Sequence, residues 1–295
     1  MHSFSSILPN KIALTKIEDE ITLSAGVELC LLRLDQIHEG ISGNKWFKLK
    51  YNLEKAQIEN KTTLLSFGGA YSNHLHAVAS AGKLLNYKTI GIIRGEEPLS
   101  NPTIFSLKEM GMNLIQVSRS DYQQKNTLEF YEKNISPLGD DIYVIPEGGT
   151  NEFAIKGTSE IWNLLSFEPD YLTLPVGTGG TLAGLASANN NCTSLLGFVA
   201  LKGAQYLENE IAQLSNHQQA PTYFHNYHFG GFGKYSPELL LFIEEFEKNH
   251  KIPVEQVYTG KMMFGIYDLI KHGYFKPHSK IIAIHTGGLQ GKLSQ

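Results

Sequence analysis

After the first fifty residues, short β-branched and apolar runs alternate with longer stretches of helical periodicity, and this alternation restricts the fold more than any other property of the chain. A strand followed by a helix, repeated, predicts an α/β protein with an open parallel sheet covered by helices. The runs that read as strands are Thr62 to Phe67, Thr89 to Ile93, Leu114 to Val117, Ile142 to Ile145, Tyr171 to Val176, Leu195 to Ala200 and Lys280 to Ile284. Their nearly unbroken apolar character suits strands buried on both faces. Helix ends are legible too. Asn101 before Pro102 reads as an N-cap with proline at the first helical position, and Gly111 as the left-handed residue that ends the helix. Ser236 and Pro237 repeat the device ahead of Leu239, Leu240, Ile243 and Phe246, which share one face, and Gly273 should end a helix that begins near Lys261. No internal repeat or low-complexity tract is present. Two lobes are expected at 295 residues, with the turn-rich stretch Pro146 to Thr150 as the divide.

Charge and hydropathy exclude several classes of function. Lys and Arg number 25 against 29 Asp and Glu, a net charge of −4 without a run of either sign, so nothing marks a nucleic-acid partner or an anionic membrane surface. No charge occurs from Tyr171 to Leu201, but Gly177 to Thr181 and Asn189 to Asn191 interrupt that segment before it reaches the ~18 consecutive apolar residues of a spanning helix. It reads as the buried centre of a domain. Cys30 and Cys192 are far apart in sequence, and Met1 to Asn10 lacks a basic region followed by an apolar run, so a reduced cytoplasmic location is expected.

Several segments could carry chemistry. Gly177-Thr178-Gly179-Gly180-Thr181 follows one strand and opens the next helix, which presents backbone N–H groups at the positive end of a helix dipole and suits an anion such as a phosphate. No Gly-Lys-Ser/Thr follows, and the next glycine falls at Gly184, so neither a P-loop nor a dinucleotide fingerprint fits. Lys45, after Ser42-Gly43-Asn44, lies at a helix start beside Trp46 and Phe47, where an ammonium is disfavoured and the neutral amine needed for a Schiff base is easier to reach. Gly68-Gly69-Ala70-Tyr71-Ser72-Asn73-His74 is another strand-to-helix turn. Ser72 and Asn73 are ordinary helix caps on one reading and face a ligand crevice on the other. Tyr258-Thr259-Gly260-Lys261 opens a helix, and His285-Thr286-Gly287-Gly288 follows the last strand. No metal site is expected: His74 with His76, and His225 with His228, offer two imidazoles apiece, and a strand through His225 would turn the latter pair to opposite faces.

In order and spacing these segments resemble the pyridoxal-phosphate enzymes that include 1-aminocyclopropane-1-carboxylate deaminase and D-cysteine desulfhydrase. The resemblance runs from Arg33 and Asp35 through Gly43 to Lys45, Gly68 to His74, Pro146 to Asn151, Gly177 to Thr181 and Tyr258 to Lys261, ending at His285 to Gly288. It implies a two-lobed, three-layer, fold type II enzyme of the tryptophan synthase β-subunit kind. A small inserted α/β domain would span 48–150 and the cofactor-binding domain 1–47 with 151–295. It also implies pyridoxal 5'-phosphate as cofactor and a homodimer. By that resemblance Lys45 carries the cofactor as a Schiff base, and Gly177, Thr178, Gly179, Gly180 and Thr181 hold its phosphate. Asn73 meets the ring oxygen and Thr286 lies near the pyridine nitrogen. Ser72 meets the substrate carboxylate and relays protons, while Asn73, His74 and Tyr258 also face the substrate.

Departures from the pattern direct the substrate reading. No tyrosine follows Tyr274 before the end at Gln295, where cyclopropane-opening relatives hold a second active-site tyrosine, and His74 stands in place of their glutamine. Glu255-Gln256-Val257 replaces the Asp-Pro that commonly precedes Tyr-Thr-Gly-Lys. The expectation is therefore a lyase that releases ammonia from a small amino acid by elimination, with D-cysteine first and 1-aminocyclopropane-1-carboxylate second. A pyridoxal-phosphate carrier without turnover and a nucleotide-binding module on Gly177 to Thr181 are the non-enzymatic alternatives.

Overall fold

The computed structural model describes residues 4–7, 9–95, 101–216 and 219–293. Parts of two readings, the leader-free start over Met1 to Asn10 and the end at Gln295, lie outside those residues. Among the described residues, ten strands form two sheets. In chain order they are β1 (Leu14–Ile17), β2 (Glu28–Leu32), β3 (Thr63–Gly68), β4 (Lys88–Arg94), β5 (Met112–Val117), β6 (Ile142–Ile145), β7 (Tyr171–Val176), β8 (Ser194–Val199), β9 (Thr222–Phe224) and β10 (Lys280–Ile284). The smaller sheet has the order β5-β4-β3-β6 and is wholly parallel. The larger has the order β1-β2-β10-β7-β8-β9 and is parallel except for the β1–β2 pair.

All seven strands read from the sequence are present, with ends shifted by no more than two residues. Three others were not read. β1 is a short edge strand, β9 has only three residues, and β2 (Glu-Leu-Cys-Leu-Leu) has no β-branched side chain, so neither length nor residue type distinguishes them. β2 nevertheless lies inside the sheet, because alternate side chains feed two cores. Cys30 and Leu32 enter one hydrophobic cluster, and Leu29 and Leu31 the other. β10 divides in the same way, with Ile282 and Ile284 against Ile281 and Ala283.

The helix ends follow the capping chemistry. Asn101 Oδ1 accepts the N–H groups of Thr103 and Ile104 at 2.9 and 3.1 Å, and Ser236 Oγ accepts that of Leu239 at 3.2 Å. Gly111 and Gly273 have positive φ, 85° and 70°, just past the helices they follow. No described helix is long and apolar enough to cross a membrane.

Three helices in contact set up the site. The helix Asn44–Ile58 packs along Glu152–Ser159, which in turn packs along Gly180–Ser187. Gly157 permits the first approach, since a Cβ built on it would lie 1.9 Å from the carbonyl oxygen of Phe47. Gly157→Ala should therefore lower stability in chemical denaturation by about 1–3 kcal/mol through overpacking. A merely local helix effect would instead raise it by ~0.5–1 kcal/mol, so the sign decides.

Candidate active site

The C-terminal ends of β3, β6, β7 and β10 converge on a cleft of about 830 Å³, the position where open parallel sheets bind ligands. Its walls include Lys45, Ser72, Asn73, His74, Gly177, Thr178, Gly179, Thr181, Tyr258 and Thr286. Of the site residues read from the sequence only Gly180 does not line it; that residue begins the helix behind the glycine turn.

Lys45 is the second residue of the helix Asn44–Ile58 and is half-buried. Its amine donates to Asn44 Oδ1 at 3.0 Å, and withdrawal from solvent pushes its pKa down to about 8. Such an amine is roughly a tenth neutral at pH 7, about 300-fold more than an ordinary lysine. The sequence argument invoked Trp46 as an apolar neighbour, but Trp46 packs against Phe4 and His38 and does not line the cleft. Burial of the amine itself is what lowers the pKa. Asn44 also donates through Nδ2 to Thr181 Oγ1 at 2.7 Å, so one buried amide bridges the lysine to the glycine turn.

Sequence reasoning missed Lys48, one turn beyond Lys45 and 3% exposed. Its ammonium donates to the Gly148 carbonyl at 2.8 Å, to Thr150 Oγ1 at 3.2 Å and to Thr178 Oγ1 at 3.4 Å. Burial, and then the charge of Lys45, hold its pKa well below the usual lysine range. The three-residue spacing on one helix was the available signal. Asn44 was the other residue missed.

The glycine turn is built for an anion. The helix Gly180–Ser187 starts without a side-chain cap, which leaves N-terminal N–H groups to be satisfied from the cleft side. A Cβ built on Gly180 would lie 2.7 Å from Thr150 Oγ1 and 3.0 Å from Lys48 Nζ, so a side chain would fill the space between turn and cation. Main-chain donors, threonine hydroxyls and a buried ammonium around one hollow fit a phosphate monoester.

Ser72 satisfies both readings at once, whereas Asn73 is the first residue of the helix and lines the cleft without capping it. Ser72 Oγ caps the helix Asn73–Leu85 by accepting the Leu75 N–H at 3.2 Å, yet the residue lines the cleft. Asn73 Oδ1 accepts from Gln290 Nε2 at 2.6 Å. His74 is 2% exposed, and its Nε2 lies 2.9 Å from Ser66 Oγ. Ser66 spends its own hydrogen on the Ile145 carbonyl at 2.8 Å, so Nε2 carries the proton and Nδ1 is left as a bare acceptor with no partner among the described residues. Burial, with Lys45 and Lys48 nearby, holds the imidazole neutral.

On the opposite wall, Tyr258 precedes the helix Thr259–Lys271, and burial with the charge of Glu255 pushes its pKa upward, so it stays a phenol. Glu255, at the position where the resemblance noted a departure, accepts the N–H groups of Val257, Tyr258 and Thr259 at 2.5, 2.8 and 2.7 Å. It thereby fixes the approach to Tyr258, although burial pushes its own pKa up to about 7. Thr286 is buried where β10 ends, and its carbonyl accepts the Asn44 N–H at 3.2 Å. His285 is structural: it accepts from the Gly287 N–H at 3.1 Å and donates to the Pro253 carbonyl at 2.8 Å.

The chain is similar to known proteins over most of its length. A family profile described as pyridoxal-phosphate dependent enzyme matches residues 12–287. A Pyrococcus abyssi protein named "Putative 1-aminocyclopropane-1-carboxylate deaminase" is 30% identical over 292 residues, covering 92% of this chain and 87% of that protein. The Arabidopsis thaliana bifunctional D-cysteine desulfhydrase/1-aminocyclopropane-1-carboxylate deaminase, mitochondrial, is 27% identical, covering 91% of this chain and 74% of that one. A solved structure of an ACC deaminase homologue superposes with a TM-score of 0.82 at 26% identity, covering 98% of this chain and 94% of that one, which identifies the two-sheet arrangement as fold type II. Because the profile extends from before β1 to the Thr286 loop, and so takes in every element that lines the cleft, the chain belongs to the pyridoxal-phosphate-dependent enzyme family.

Proposed function

We propose that the chain removes ammonia from a small amino acid by elimination, with D-cysteine as first substrate and pyruvate, ammonia and sulfide as products. The observation that carries this reading is the Lys45 amine, its pKa drawn down to about 8 and its nitrogen bridged through Asn44 to an anion seat in the same cleft. When bound, pyridoxal phosphate draws electron density away from the substrate α-carbon. Lys45 would hold it through the amine, while Gly177 to Thr181 and Lys48 would hold the phosphate. Asn73 would meet its ring oxygen, and Thr286 would lie near its pyridine nitrogen. A hydroxyl at that nitrogen, rather than a carboxylate, would leave it largely unprotonated and would favour elimination over transamination. The neutral Lys45 Nζ would take the α-proton. Ser72 meets the substrate carboxylate, Asn73 and His74 also face the substrate, and the phenol of Tyr258 gives a proton to the departing sulfur. The small lobe at 48–150, the larger lobe at 1–47 and 151–295, and a homodimer are part of the same proposal.

D-cysteine plus water balances to pyruvate, ammonia and hydrogen sulfide, whereas 1-aminocyclopropane-1-carboxylate plus water gives 2-oxobutanoate and ammonia. The second reading is favoured by the names of the Pyrococcus and Arabidopsis relatives. Assaying purified holoenzyme for sulfide with pyruvate, against 2-oxobutanoate, separates the two. Absence of any keto acid from a panel of D- and L-amino acids overturns both.

The depressed pKa of Lys45 carries a kinetic signature. Attachment of pyridoxal phosphate to the apoprotein requires the neutral amine, so its rate should rise with pH and level off above about 8. A lysine in bulk water would keep accelerating towards its ordinary pKa of ~10.4. Stopped-flow absorbance across that range distinguishes the two.

A further inference from the structure

The Tyr258 to Lys261 segment holds one residue that the proposed reaction leaves unused. Lys261 is 2% exposed, and its ammonium donates to the carbonyl oxygens of His228 and Gly231, 2.9 Å to each. Among the described residues it has no ion-pair partner, and burial pushes its pKa down to about 8 against the weaker pull of Glu255. Met262 and Met263, next on the same helix, fill fully buried positions without that desolvation cost, so space filling does not account for a charge here.

The two carbonyls belong to the loop between β9 and the helix Pro237–His250. Phe229, Gly230 and Gly231 in that loop all have left-handed backbone, with φ of 51, 94 and 116°. For phenylalanine this is a strained conformation that its surroundings must hold in place. The Gly231 N–H returns to the His228 carbonyl at 3.0 Å and the Lys234 N–H to the Gly231 carbonyl at 3.1 Å. Lys261 therefore clasps the same two oxygens that close the successive turns. One turn further along its helix, Phe264 meets the Phe229 ring edge-on at 5.0 Å. The residue these contacts present is Phe232, 43% exposed, which lines the cleft with its ring edge-on to Tyr258 at 5.8 Å.

We propose that Lys261 is a positioning residue: by clasping the His228 and Gly231 carbonyls it fixes Phe232 against Tyr258, and this aromatic pair limits the substrate side chain to a small group. The inference rests on the proposed reaction for its substrate and on the loop geometry for its mechanism. One helix then supplies both the substrate-facing phenol, at its start, and the anchor of the wall opposite.

The test uses holoenzyme and apoprotein of Lys261→Met, Phe232→Ala and the double variant. In Lys261→Met, amide hydrogen exchange across 229–234 should quicken at least about tenfold in the apoprotein, whatever the activity. Bound-cofactor absorbance should be retained, and KM for D-cysteine should rise about five- to tenfold with kcat within about twofold. Phe232→Ala should reproduce the KM change and gain turnover of a bulkier substrate such as S-benzyl-D-cysteine, and the double variant should be no worse than the poorer single one. Unchanged loop exchange in Lys261→Met, or additive KM effects, overturns the proposal. If Lys261→Met does not fold, Phe232→Ala on the exposed loop decides it, and an unchanged KM and side-chain preference is the contrary result. Should the wild type release no keto acid from any amino acid, the reaction is wrong, and the exchange experiment alone judges the role of Lys261.

Discussion

Lys45→Ala is expected to abolish the visible absorbance of protein-bound pyridoxal phosphate and to reduce keto-acid release on the order of 10³-fold or more, with the fold intact. The amine is the group that would hold the cofactor and then receive the α-proton, so both signals should vanish together. Stability should not suffer, because the wild-type side chain is half-buried and its charged form is disfavoured by burial. Thermal unfolding of the two apoproteins provides that control. Absorbance that survived the substitution would move the attachment point to Lys48, the other amine beside the glycine turn, and remove Lys45 from the reaction.

Lys48→Met should weaken pyridoxal phosphate binding roughly 30- to 150-fold, which corresponds to the ~2–3 kcal/mol of a charge-assisted hydrogen bond to a buried anion. The apoprotein should be as stable as wild type or more so, since the substitution removes a buried ammonium bonded only to neutral oxygens. Inorganic phosphate should raise the melting temperature of the wild-type apoprotein and leave that of the variant unmoved. Equal protection of both proteins by phosphate would place the anion seat elsewhere in the cleft.

Much of this arrangement was legible in the sequence because the residues concerned obey local rules. A strand, a glycine turn and a helix start are contiguous in the chain, so the segments around Ser72 and Gly177 could be located without knowing what packs against them. Lys48, Asn44 and Lys261 were not legible in that way. Lys48 acquires meaning from Gly148 and Thr178, about a hundred or more residues away in sequence, and Lys261 from carbonyls thirty or more residues earlier. Nor does a lysine in an amphipathic helix declare from sequence whether its amine is buried. The same limit explains β2, whose leucines favour neither state until β1 and β10 pair with it. Tyr258 was identified through the resemblance, but the carboxylate that braces it occupies a position where the sequence departs from the family pattern, and only the backbone N–H groups that the Glu255 side chain accepts show that this position still orders the turn.

The close contact at Gly157 carries an evolutionary implication. It ties the helix that bears Lys45 and Lys48 to the helix behind the glycine turn, through a shared neighbour that leaves no room for even one methyl group. Ser72, Asn73 and His74 are carried instead by β3 of the smaller sheet. Selection for a new amino acid can thus act on the segment that follows β3 while the amine and the anion seat are inherited unaltered.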